Sequence, residues 1–96
     1  MTDRKIDEIR ERIDEIDDRL LQLLNDRAML VVALAKVKHE HGLQLFDPER
    51  ERQIHERLAD ANGGPLPSEA VARVFERIID EARRLERTEV YDKAQE

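Results

Sequence analysis

Ninety-six residues make one domain at most, read here as a single unit over residues 1–96. The composition is 40% apolar but only 3% aromatic, with 42% charged residues and three Gly, the profile of a helical bundle with polar outer faces and too few strand formers for a sheet. No Cys excludes disulfides, a thiol nucleophile and Cys-based zinc sites, and fits a reducing cytoplasm.

No apolar run approaches the roughly 18 residues that a membrane span needs, and no signal-peptide core follows Met1. A net charge of -6 disfavours nucleic acid as a partner. An anionic ligand would therefore depend on a local basic cluster.

The first long segment runs from about Thr2 to His41. Its apolar residues fall in heptad steps: Ile6, Ile9, Ile13, Ile16, Leu20, Leu23, Leu30, Leu34 and Val37. Arg27 takes one seam position where an aliphatic belongs. The spacing predicts one continuous helix of about 36 to 40 residues, stopped at Gly42 as its C′ residue. After a short loop, Leu43 to Phe46, Asp47 reads as an N-cap, Pro48 as the first helical residue and Glu49 as a charge matched to the helix N-terminus. The second helix extends to about Ala61, with Ile54 and Leu58 facing inward. Asn62-Gly63-Gly64-Pro65-Leu66-Pro67 is the clearest break. The third helix starts near Pro67 or Ser68 and carries Val71, Val74, Phe75, Ile78, Ala82 and Leu85 on one face. Fraying, with a disordered tail, is expected after about Val90.

Length constrains the assembly. A compact monomer of this size has a radius of gyration of about 12 to 13 Å. The first helix alone would span about 55 Å. Two short helices cannot cover its seam, so a two-fold homodimer is expected.

Several charges lie on stripes that should be apolar. Lys38 follows Arg27 by 11 residues, about 20° around the helix and roughly 16 Å along it. Arg50 is four residues before Ile54, Glu51 borders the same face, and Glu86 continues the third helix's inner stripe four residues past Ala82. Each also has a structural explanation. A seam Arg can set register or pair with a buried carboxylate, and taken alone that is the better reading of Arg27. Lys38 and Arg10 can be flanking charges that reach water, and Asp47 is a cap whatever else it does. Glu51 and Arg50 can form a surface pair, and Glu86 can be a wet core edge. Their convergence from three helices favours a polar ligand, because cores rarely tolerate so many inward charges. His39 and His41 point to different sides of a helix and His55 stands alone, so no metal site is read. No serine has a plausible base, and no phosphate-binding loop is present.

With these residues in hand, the sequence resembles the small all-helical (AroQ-type) chorismate mutases. The likeness rests on Ile9-Arg10-Glu11-Arg12-Ile13-Asp14-Glu15-Ile16-Asp17, on Leu20 through Arg27, and on Val37-Lys38. Asp47-Pro48-Glu49-Arg50-Glu51 and Phe75 through Ile78-Ile79 to Glu86 complete it. The resemblance implies an all-α fold: three helices per chain, one long and two shorter, in an intertwined homodimeric bundle. It implies a cytoplasmic isomerase that converts chorismate to prephenate in aromatic amino-acid biosynthesis, with no cofactor and no metal. By position, Arg27 would hold one substrate carboxylate and the second chain's Arg10 the other. Lys38 would contact the ether oxygen and a carboxylate, Glu51 with Asp47 the ring hydroxyl, and Glu86 the ether oxygen, while Arg50 has a less defined part. Arg10 and Arg27 are about 25 Å apart along one helix, so only a dimer can bring them to one small ligand. Ala82 stands where some relatives have serine, and Glu86 where some have glutamine. Two other readings remain at this point: an isochorismate pyruvate lyase on the same fold, and a non-catalytic helical dimerisation or regulatory domain.

Overall fold

The computed structural model describes residues 2–93. Helix α1 spans Thr2–Glu40, α2 spans Pro48–Ala61 and α3 spans Ser68–Glu86; a π-helical segment, Arg87–Asp92, continues from α3. The helices begin and end where the local chemistry dictates. At the end of α1, Gly42 adopts φ +68, where a side chain would be strained. There the Leu43 amide donates to the Lys38 carbonyl at 2.8 Å and the Gly42 amide to that of His39 at 3.1 Å. This pair of bonds satisfies carbonyls that the helix leaves free and turns the chain back. Asp47 caps α2, its Oδ1 accepting from the Arg50 amide at 3.0 Å, with Pro48 in the first turn.

Between α2 and α3, Asn62 organises the turn. Its side-chain amide donates to the Leu66 carbonyl at 2.9 Å and to Ser68 Oγ at 3.1 Å, while its Oδ1 accepts from the Gly64 amide at 3.0 Å. The predicted break therefore holds its shape through one side chain. Beyond Glu86 the helix widens into the π-helical segment. Val90 is buried, and the Tyr91 hydroxyl donates to the Leu43 carbonyl at 3.1 Å while its ring meets His39 edge-on at 5.1 Å. These contacts carry helical structure past the point where fraying is expected and fasten the segment to the α1–α2 loop. The expected disordered tail otherwise falls on residues 94–96, outside the described residues.

Helix α3 packs against both α1 and α2, and α1 and α2 do not pack on each other. That arrangement leaves a gap between α1 and α2 with α3 as its floor. The chain is elongated, 61 × 30 × 15 Å with a radius of gyration of 17.5 Å, well above the roughly 12 to 13 Å of a compact chain of this length. Its core is thin: Ala35, Ile54, Ile79 and Val90 are its buried apolar residues. The heptad seam of α1, Ile6 to Val37, is exposed on every turn up to Asp26. Among the described residues, no helix is long and apolar enough to cross a membrane.

The inner stripe of α3 divides in two. Ile79, Ala82, Arg83 and Glu86, spaced as i, i+3, i+4 and i+7, face the gap between α1 and α2. Val74, Ile78 and Leu85, expected in the core, instead line an open groove opposite Leu20 and Leu24 of α1, and Val74 is 53% exposed.

Candidate active site

The gap encloses a cavity of about 270 Å³, the scale of a small-molecule site. Helix α1 contributes Arg27 and Lys38 to its wall, α2 and its cap contribute Asp47, Arg50 and Glu51, and α3 contributes Arg83 and Glu86. Leu30, Val31, Leu34, Ile54 and Ile79 supply apolar surface between these charges. Six of the seven residues singled out from the sequence thus meet in one cavity. Arg10 is the exception: it is exposed on the far half of α1, about 25 Å along the helix from Arg27.

Arg27 and Lys38 are half-buried, and neither has an ion pair or side-chain hydrogen bond among the described residues. Two partly desolvated cations that share one nearby carboxyl, Glu86, leave positive charge to attract an anion. Glu86 lies close enough to sense both. Its Oε2 is buried and accepts no hydrogen bond. Burial raises its carboxyl from the ordinary value; Lys38, Arg83 and Arg27 pull it down, and Glu51 adds to the rise. A carboxyl is a donor as well as an acceptor only in its protonated form.

Glu51 pairs with Arg83 across α2 and α3, not with neighbouring Arg50: the Arg83 guanidinium donates to Glu51 Oε2 at 2.6 Å, with both side chains 29% exposed. The same guanidinium lies over the Phe46 ring, 5.1 Å from its centre, a cation–π arrangement. Sequence reasoning passed over Arg83. The signal was present, since Arg83 lies four residues past Ile79 and three before Glu86, the spacing that singled out Glu86 itself. Among the described residues, no group of three or more His, Asp or Glu is placed to hold a metal ion.

The arrangement can bind a small, multiply anionic molecule and hold it between opposed helices, beside a carboxyl raised from its ordinary value. Comparison with known proteins agrees. Residues 9–87 match the family model described as chorismate mutase type II. A bifunctional chorismate mutase/prephenate dehydratase of Aquifex aeolicus is 37% identical over 87 residues, covering 86% of this chain and 24% of the relative. A chorismate mutase of Methanocaldococcus jannaschii is 43% identical over 54 residues, covering 56% of this chain and 54% of the relative. The chain thus spans about a quarter of the first relative's length and about half of the second's. Among solved structures, chorismate mutase (form II) from Thermus thermophilus superimposes with a TM-score of 0.84 at 32% identity, over 85% of this chain and 93% of that one. An all-helical chain with this cavity, matched from Ile9 to Arg87, belongs to the chorismate mutase type II family.

Proposed function

We propose that the chain catalyses the rearrangement of chorismate to prephenate as an intertwined homodimer, each site completed by Arg10 of the second copy. One observation carries the reading: Arg27 and Lys38, neither in an ion pair among the described residues, share a small cavity with Glu86, whose carboxyl is raised by burial.

The reaction is an intramolecular pericyclic step. The ether bond to the ring breaks as the enol-pyruvyl carbon bonds to the ring, and negative charge gathers on the departing oxygen. No nucleophile, general base or cofactor takes part. The protein has two tasks: to select the compact chair conformer and to stabilise that charge. Arg27 and the second copy's Arg10 serve the first by gripping the two carboxylates, since a guanidinium fork binds a carboxylate in fixed orientation. Lys38 and protonated Glu86 serve the second by donating toward the ether oxygen from apolar surroundings. Glu51 accepts from the ring hydroxyl, helped by Asp47, whose Oδ1 is engaged in the helix cap. Arg50 adds positive charge for an anionic ligand.

Helix α1 supports the dimer reading. Its 39 residues extend about 58 Å, and its seam leaves Ile9 59% and Leu23 63% exposed. Covering the exposed part of each such side chain contributes about 1 to 2 kcal/mol. A second copy of the same helix offers the matching stripe and the missing arginine together.

The test is loss of chorismate absorbance on adding purified protein, with prephenate identified as product and isochorismate assayed in parallel. Pyruvate release from isochorismate without turnover of chorismate would replace the mutase with a lyase. Inertness toward both would leave a non-catalytic helical module.

A further inference from the structure

We propose that Arg83 is a positioning residue of this site: it orients the Glu51 carboxylate toward the ring hydroxyl and so sets specificity for the hydroxylated ring. The inference rests on the chorismate mutase reading and deepens it.

Three observations place Arg83 in this part. Its guanidinium donates to one oxygen only of Glu51, Oε2 at 2.6 Å. The other, Oε1, accepts no hydrogen bond among the described residues and is left for a ligand donor. A carboxylate anchored by one oxygen has one direction in which to accept. Next, the guanidinium is itself held: it lies over Phe46, 5.1 Å from the ring centre, and Asp80 lies 3.8 Å from its other terminal nitrogen. An arginine fixed by a ring face and by acidic groups on both sides behaves as part of the wall rather than as a mobile cation. Finally, Phe46 immediately precedes Asp47, so the stack ties the loop carrying the second hydroxyl-binding carboxylate to the same guanidinium. One side chain therefore touches both the Glu51 carboxylate on α2 and the loop that leads into its Asp47 cap.

A simple interhelical staple would use the same ion pair but would not care which substrate is bound. The two roles separate when the ring hydroxyl is removed. The experiment compares the parent chain with Arg83→Leu, Arg83→Lys, Glu51→Gln and Arg83→Leu/Glu51→Gln on chorismate and on the analogue with hydrogen in place of the ring hydroxyl. Helicity by circular dichroism is recorded for each. Arg83→Leu should lower kcat/KM for chorismate by roughly ten- to a hundredfold, the range for a lost charged hydrogen bond and a misplaced contact. The deoxy analogue should lose about threefold or less. In the Glu51→Gln background, Arg83→Leu should cost little more, because the group it positions is already altered. Arg83→Lys keeps the charge without the planar stack and should fall between. Equal losses on both substrates, or additive losses in the double variant, would overturn the assignment. If Arg83→Leu is unfolded, the same substrate comparison made on Arg83→Lys decides. A parent chain inert toward chorismate would overturn the functional reading itself; an active parent with an indifferent Arg83 would overturn this inference alone.

Discussion

Residues 3–26 and residues 27–40 lie on one uninterrupted helix and share one heptad pattern, yet the chain treats them differently. Every residue from Asp3 to Asp26 is exposed. From Arg27 onward the helix is partly covered: Ala35 is fully buried, and Arg27, Val31 and Lys38 are half-buried beneath α3 and beside the cavity. The covered half carries two of the cations of the site, and the uncovered half carries Arg10. Hydrophobic periodicity states which face must leave water and says nothing about what covers it. In one helix, the same pattern serves a core within the chain and a seam that the chain cannot close.

The sharpest way to break that comparison is a charge on the uncovered half. Ile13→Asp puts a carboxylate where a second copy's seam should lie. Sedimentation of the parent should give about twice the chain mass of 11.3 kDa, and Ile13→Asp should abolish association and nearly all activity. An unpaired charge buried in such an interface costs several kcal/mol. Were the uncovered half a free surface, the same substitution would stay within about 0.5 kcal/mol of neutral. A parent at the single-chain mass would remove the dimer, and parent-like mass and activity for Ile13→Asp would remove the α1 seam as its interface, and with either the shared site.

The second test uses the two arginines as markers of the two halves. Arg10→Ala and Arg27→Ala should each lower kcat/KM by about a hundredfold or more, since each removes a charged grip on a carboxylate. Mixed after subunit exchange, they should regain activity. In a mixed dimer one site has both arginines and the other has neither, so about one quarter of all sites become intact. No recovery from demonstrably mixed dimers would mean that Arg10 acts within its own chain or not at all.

These two halves also show how much was legible beforehand. Periodicity and caps predicted three helices, the Gly42 stop and the Asp47 start, because each depends on residues within one turn of the chain. Arg27, Lys38, Asp47, Arg50, Glu51 and Glu86 stood out as charges on or beside apolar stripes, and they meet in one cavity. What stayed hidden depends on how α3 rotates between its neighbours. Its apolar arc is wide enough for two faces, and sequence alone does not say that Ile79 is buried while Val74 lines an open groove. Arg83 was missed for the same reason, since its partner Glu51 is 32 residues away on another helix. The π-helical turn after Glu86 was missed because the partners of its anchor, Tyr91, lie in and beside the α1–α2 loop.

A gentler test reads the electrostatics of the covered half. Burial raises the carboxyl of Glu86, opposed by Lys38, Arg83 and Arg27 and assisted by Glu51. On the proposed role of Glu86 as a donor, only its protonated form serves, so turnover should rise as pH falls toward its raised value and decline above it. A bound dianion would push the carboxyl further up. For stability the direction agrees, because the folded chain holds this proton more tightly than the unfolded one. The contribution is fully present below the unfolded value and is lost as pH rises through the folded value. Glu86→Gln supplies a permanent donor and should flatten the pH–rate profile while retaining or improving activity near neutrality. Glu86→Ala should be poor throughout. An unchanged profile for Glu86→Gln would move the titrating group elsewhere.

The smallest effect is expected where the covered half ends. Gly42 adopts φ +68, and a Cβ added there would meet nothing within 4 Å. Gly42→Ala therefore tests backbone conformation without steric interference. Placing a side chain in the left-handed region costs about 1 to 2 kcal/mol, partly offset because alanine restricts the unfolded chain more than glycine does. The net loss should be about 1 kcal/mol, a fall in Tm of roughly 4 to 8 °C for a chain of this size at fixed protein concentration. Its consequences should stay local. The turn fixes the exit of α1 through the Lys38 and His39 carbonyls, so a shift there should disturb the Lys38 side of the cavity and raise KM modestly. The dimeric mass, set by the far half of α1, should not change. A Gly42→Ala variant that dissociated would mean that the end of α1 also shapes the seam, and that the two halves of the helix are coupled rather than separate in what they do.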